Sequence, residues 1–142
     1  MIFVKSILAV IAGLIFGSLV NMGLIMIRGQ VIPPPAGADM TSAEGLQAAM
    51  HLLEPKHFIF PFLAHALGTL VGAFIATKLA KKSGRLPAIT VGILFLIGGI
   101  IAARMIPAPT WFIATDLLLA YLPAAWIGYS LASRRTKVSG IT

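Results

Sequence analysis

Four side chains capable of chemistry sit inside otherwise apolar stretches of this 142-residue chain: Asn21, His65, Arg104 and Asp116. A carboxylate in hydrocarbon is unfavourable by several kcal/mol unless it is paired, so intramembrane ionisable groups are candidates for function by default. Arg104 and Asp116 flank a short connection, and the spacing predicts an ion pair between them. His65 could hydrogen-bond the same carboxylate, and Asn21 could complete the network. Such a cluster could fix helix register or hold a ligand or ion. As a catalytic set it is thin, because an imidazole and one carboxylate lack a nucleophile or a second acid.

Other chemistry is excluded more simply. The chain has no cysteine, which removes thiolate catalysis, disulfides and cysteine-held clusters. His51, His57 and His65 form no HExxH pattern and no opposed deep pair, so neither a metal nor a haem is expected. No cofactor is expected.

These groups must be positioned by membrane helices. Hydrophobic residues make up 58% of the chain and charged ones 11%, with a mean hydropathy of +0.98. A soluble domain this short cannot hide so much apolar surface. The net charge of +7 might suggest a nucleic-acid partner, but the basic residues end apolar runs instead of sharing a face. No nucleic acid is expected. Four segments are apolar over the ~20 residues a spanning helix needs: about 4–27, 58–80, 87–107 and 110–132. The first is too long for a secretory h-region and carries Asn21 and Met22 where a cleavage site would fall, so it reads as a retained helix. The fold expected is all-α, a transmembrane four-helix bundle in one domain.

Lys78, Lys81, Lys82 and Arg85 lie between the second and third spans, and Arg134, Arg135 and Lys137 follow the fourth. Lys5 adds to the same side. Arg28 and Lys56 on the opposite side are offset by Asp39, Glu44 and Glu54. The bias predicts cytoplasmic termini. Segment 29–57 is then external. Its Pro33-Pro34-Pro35 run cannot continue the first helix, and Thr41 with Glu44 fits a capping box for a short amphipathic helix over about 42–53. Leu46, Met50 and Leu53 share its apolar face, which would lie on the membrane or cap the bundle.

Small residues four apart mark where membrane helices approach closely. Gly13 and Gly17 do so on the first span, and Ala64, Gly68, Gly72 and Ala76 on the second. Asn21 continues the first series, and His65 and Asp116 also lie on small-residue faces. Arg104, five residues beyond Gly99, does not, and would have to reach around its helix.

The stretch EPKHFIFPFLAHALGTLVGAFIA (54–76), with PPPAGAD before it and PAPTWFIATDLLLAYLPAAWIGYSLA after it, resembles a group of small bacterial membrane proteins without an assigned activity. The resemblance implies a bacterial inner-membrane location and no mechanism. The expected role is non-enzymatic, a scaffold or accessory subunit packing with a membrane-protein partner or with itself. The alternatives are a small carrier or channel with an outer-leaflet polar site, and then an intramembrane enzyme.

Overall fold

The computed structural model describes residues 1–138, apart from the side chains of Lys82 and of 135–138. Lys82, Arg135 and Lys137, counted above among the basic signals, therefore lie outside the described side chains. Six α-helices account for most of the chain: α1 (Ile2–Val31), α2 (Ala43–Ala49), α3 (Ile59–Ala80), α4 (Arg85–Met105), α5 (Thr110–Leu119) and α6 (Leu122–Val138). Short 3₁₀ turns at Met50–Leu52, Pro55–Phe58 and Lys81–Ser83 join them, and no strand occurs among the described residues. Four helical stretches are long and apolar enough to cross a membrane: Ile2–Val31, Pro55–Ala80, Arg85–Met105 and Thr110–Arg134. Their outward faces carry large apolar side chains, including Ile15, Leu19, Ile97, Leu118 and Trp126. Water would not tolerate that many together.

The bundle is organised around α1 and α3, which pack more extensively than any other pair. They run antiparallel, and each step of four along α1 meets a step of four back along α3. A Cβ placed on Gly13 would lie 2.5 Å from the Gly72 carbonyl oxygen, and one on Gly72 would lie 2.7 Å from that of Gly13. Gly17 and Gly68 repeat the arrangement one turn on, at 2.5 and 2.8 Å. Backbone meets backbone, so any side chain at these four positions must push the helices apart. Asn21, on the next turn of α1, places its Cβ against Gly68. Ala64, Gly68, Gly72 and Ala76 are all buried inside the chain. On the other flank α6 crosses α3 at Gly128, where an added Cβ would strike the Leu70 carbonyl, and meets α4 where Gly92 faces Ala125.

Three expectations needed adjustment. Helix α1 runs to Val31, one turn past Arg28, because nothing breaks the helix until Pro33. In the connecting segment Ser42, not Thr41, caps α2, accepting from the Gly45 amide at 3.0 Å. Asp39 claims Thr41 through both its amide (2.8 Å) and its hydroxyl (2.6 Å), which leaves the cap to the next residue. These hydrogen bonds hold the exposed Asp39 carboxyl down at about 2, below its usual value of 3.8.

The last apolar stretch is not one continuous helix. It breaks at Ala120–Tyr121, between α5 and α6. Pro123 explains the break: it has no amide hydrogen to give Leu119, and its ring excludes that carbonyl. Leu119 is the last residue of α5.

Candidate functional site

The break in the last span builds the polar site. In an unbroken helix a residue five positions after Asp116 would point to another face, since only neighbours three or four apart stack. The turn at Ala120–Tyr121 instead returns the Tyr121 hydroxyl to Asp116, donating to Oδ2 at 3.2 Å. Gly99 of α4 makes this possible, because any Cβ there would collide with the Tyr121 hydroxyl and ring. His65 of α3 approaches from the other side. Its Nδ1–H donates to both carboxylate oxygens, at 2.8 and 2.9 Å, and its ring stacks on Tyr121 with centroids 5.6 Å apart. Asp116 is thus closed in, with its side chain 7% exposed, while that of His65 remains 26% exposed. Both imidazole and phenol donate to one carboxylate, which satisfies it without a guanidinium.

Arg104 takes no part, contrary to the sequence-based expectation. It is exposed and has no ion-pair partner among the described residues. The cause is helical phase. Gly99 faces Tyr121, and five further residues rotate the backbone by about 140° at ~100° per residue. The short Arg104–Asp116 connection brings the helix ends together without turning the guanidinium inward.

Asn21 does belong to the site, though not as a ligand of Asp116. It lines a cavity of about 190 Å³ together with His65, Thr69, Phe95, Gly98 and Tyr121. Two polar atoms in this region are buried without a hydrogen-bond partner: Asn21 Oδ1 and Thr69 Oγ1. For Thr69 the contrast within the molecule is sharp. Thr77, Thr90 and Thr115 each donate to the carbonyl four residues back, at 2.8, 2.9 and 2.8 Å. Thr69, 1% exposed, makes no such bond to His65. An unpaired buried group costs about 1–3 kcal/mol, so two beside one cavity need a physical reason.

A second cavity of about 490 Å³ lies toward the 29–57 end and shares His65, Gly99 and Ala102 with the first. Its walls are mainly apolar, with Phe58, Phe112 and Ile113 among them, and Arg28 and His57 near the chain's connecting segment. Leu46 and Leu53 also line it, so the 42–53 segment turns its apolar face onto the end of the bundle. Trp111 and Phe112 pack on Phe58 at 5.5 and 4.9 Å beside it.

Sequence reasoning placed Asn21, His65 and Asp116 together but did not assign Thr69 or Gly99 to the site. Thr69 was signalled only by falling one turn from His65. Gly99 was signalled only as half of a Gly-Gly pair. Among the described residues no group of three or more His, Asp or Glu is arranged to hold a metal. Neither protein-family models, nor curated proteins, nor solved structures provide a match to this chain.

Proposed function

We propose that this chain is a multi-pass membrane protein of the carrier class, which binds a small hydrogen-bonding molecule in the polar cavity between α1, α3 and α4. The observation that carries the reading is the pair of partnerless buried atoms, Asn21 Oδ1 and Thr69 Oγ1, in the region of that cavity. A purely structural network would be expected to satisfy its members. Here the satisfied part (His65, Asp116, Tyr121) holds one wall rigid, and Asn21 and Thr69, whose unpaired oxygens are closed off without ligand, line the same cavity. Asp116 fixes His65 with Nδ1–H inward, which leaves Nε2 to the ligand. Asn21 Oδ1 and Nε2 are acceptors and Thr69 is either donor or acceptor, so the cavity suits a ligand that donates, such as a hydroxyl compound.

An exposed small-residue ladder on α3 would point to a partner helix and so to a scaffold. That ladder is occupied by α1 within the chain, which favours the carrier. For location, the bias of basic residues supports both termini on the cytoplasmic side, placing the polar cavity in the outer half, and the bacterial inner membrane is what the sequence resemblance implies. Reporter fusions at residue 142 and within 36–45 should report opposite sides.

Binding is tested with 4-fluorophenol as a small donor probe, followed by ¹⁹F NMR on protein in lipid nanodiscs. Saturation transfer should be clear with the wild type and absent with Thr69→Val and with Asn21→Leu. Equal signals from wild type, both variants and empty nanodiscs would refute the site.

A further inference from the structure

The inner cavity has a floor and a mouth that can be told apart by exposure. Ala64, Gly68, Thr69 and Tyr121 are buried, and Asn21, His65, Phe95, Gly99 and Ala102 are half-buried. Gly98 alone among the lining residues is exposed. A Cβ built on Gly98 would meet nothing within 4 Å, so the space beside this lining residue is open and no side chain covers the wall there. Phe95, one turn toward the Arg85 end, rests its ring tip against Gly17 of α1 and bounds the gap below. Ala102 bounds it one turn above.

The depth of this gap matters more than its width. At ~1.5 Å per residue, Gly98 lies roughly 10 Å below the Met105 end of α4 and roughly 20 Å above its Arg85 end. Its neighbours on the outer surface of α4 are Leu94, Ile97 and Ile101, all exposed and apolar. In the membrane frame proposed above, the opening therefore faces hydrocarbon, not water.

We infer that Gly98 is a lipid-side port, and that the ligand is a lipid with a small uncharged hydroxyl head group which enters sideways from the bilayer. The argument rests on the binding reading above and adds to it the route and the chemical class. A charged head would have to cross the hydrocarbon to reach a mouth at this depth, at a cost of several kcal/mol, and is rejected before it arrives. A hydroxyl crosses far more readily and then donates to His65 Nε2 or Asn21 Oδ1. The hydrocarbon chain need not enter the protein. It stays in the bilayer and passes through the port, where a glycine leaves room for it.

The test uses the full chain in phosphatidylcholine nanodiscs, with oleyl alcohol competing against 4-fluorophenol in the ¹⁹F measurement. In the wild type, oleyl alcohol should displace the fluorophenol. In Gly98→Leu, oleyl alcohol should compete against bound fluorophenol about tenfold more weakly than in the wild type, or not at all, a change of about 1.4 kcal/mol. Gly23→Leu is the control, since Gly23 is also exposed with open space around it but lines neither cavity. It should compete like the wild type.

Oleate, with a charged head on the same chain, should not compete in any of the three. Undiminished competition by oleyl alcohol in Gly98→Leu would overturn the port. So would loss of fluorophenol from that variant, which would make Gly98 part of the pocket wall. Fluorophenol binding in the wild type without displacement by oleyl alcohol would overturn the lipid class while leaving the site intact. Absence of fluorophenol binding in the wild type would instead sink the binding reading, and the port with it.

Discussion

Thr69→Val separates a binding site from a strut by the sign of its effect. Valine is the same shape as threonine and is equally β-branched, so the helix and the packing around residue 69 are preserved. What disappears is one hydroxyl, 1% exposed and without a hydrogen-bond partner. Leaving such a group unpaired costs about 1–3 kcal/mol. The methyl that replaces it has no polar group to satisfy. The ligand-free protein should therefore gain roughly 1–2 kcal/mol, the lower part of that range, because a turn about χ1 can recover part of the loss by bringing the hydroxyl toward the carbonyl of His65. The same substitution should abolish fluorophenol binding. Stability is measured by reversible unfolding in mixed micelles of increasing dodecyl sulfate content, with Trp111 and Trp126 as reporters. A loss of more than about 1 kcal/mol would refute the reasoning, because it would show that the hydroxyl is satisfied in the fold.

His65→Leu and Asp116→Leu should each destabilise by about 3–5 kcal/mol, because each strands its partner, while the double variant should lose less than their sum. Arg104→Ala should stay within about 0.5 kcal/mol of the wild type in the same unfolding assay, as expected for an exposed group with no ion-pair partner. Gly72→Leu should lose at least about 1–3 kcal/mol, since its Cβ falls 2.7 Å from the Gly13 carbonyl oxygen and a backbone cannot rotate away. Asp39 has a depressed pKa, so its contribution to the turn before α2 is complete above the unfolded value of 3.8 and is lost as pH falls through about 2. Amide exchange at Thr41 and Gly45 should accelerate across that interval and not above it.

The parts of the molecule that follow from local chemistry could be read directly from the chain. Hydropathy located four apolar stretches, because a spanning helix must satisfy its backbone internally and present apolar side chains throughout. The four-residue spacing of Gly13, Gly17, Gly68 and Gly72 was equally visible, since close approach leaves no alternative to glycine. Arg104 was misplaced because proximity along the chain was weighed above rotational phase, and phase decides which way a side chain points. The reach of Tyr121 to Asp116 depends on a helix break whose consequence appears only in three dimensions. Pro123 stands inside the last apolar stretch, but a proline alone does not say whether a helix bends or parts. Thr69 was illegible for a deeper reason: an absent hydrogen bond leaves no trace in sequence.

The reciprocal contact of Gly13 with Gly72 and Gly17 with Gly68 also has a mechanical consequence. Side-chain interfaces can slip by exchanging rotamers, but a seam of backbone against backbone has none to exchange. Helices α1 and α3 must therefore move as one stiff plank. Asn21, His65 and Thr69 all ride on that plank, whereas Gly98 belongs to α4 and Tyr121 to the parted last span. Gly128 ties α6 to the Leu70 carbonyl of α3 by the same kind of contact, so any breathing of the molecule falls mainly to α4. It changes the spacing beside Gly98 without disturbing the relative positions of the three groups of the proposed site.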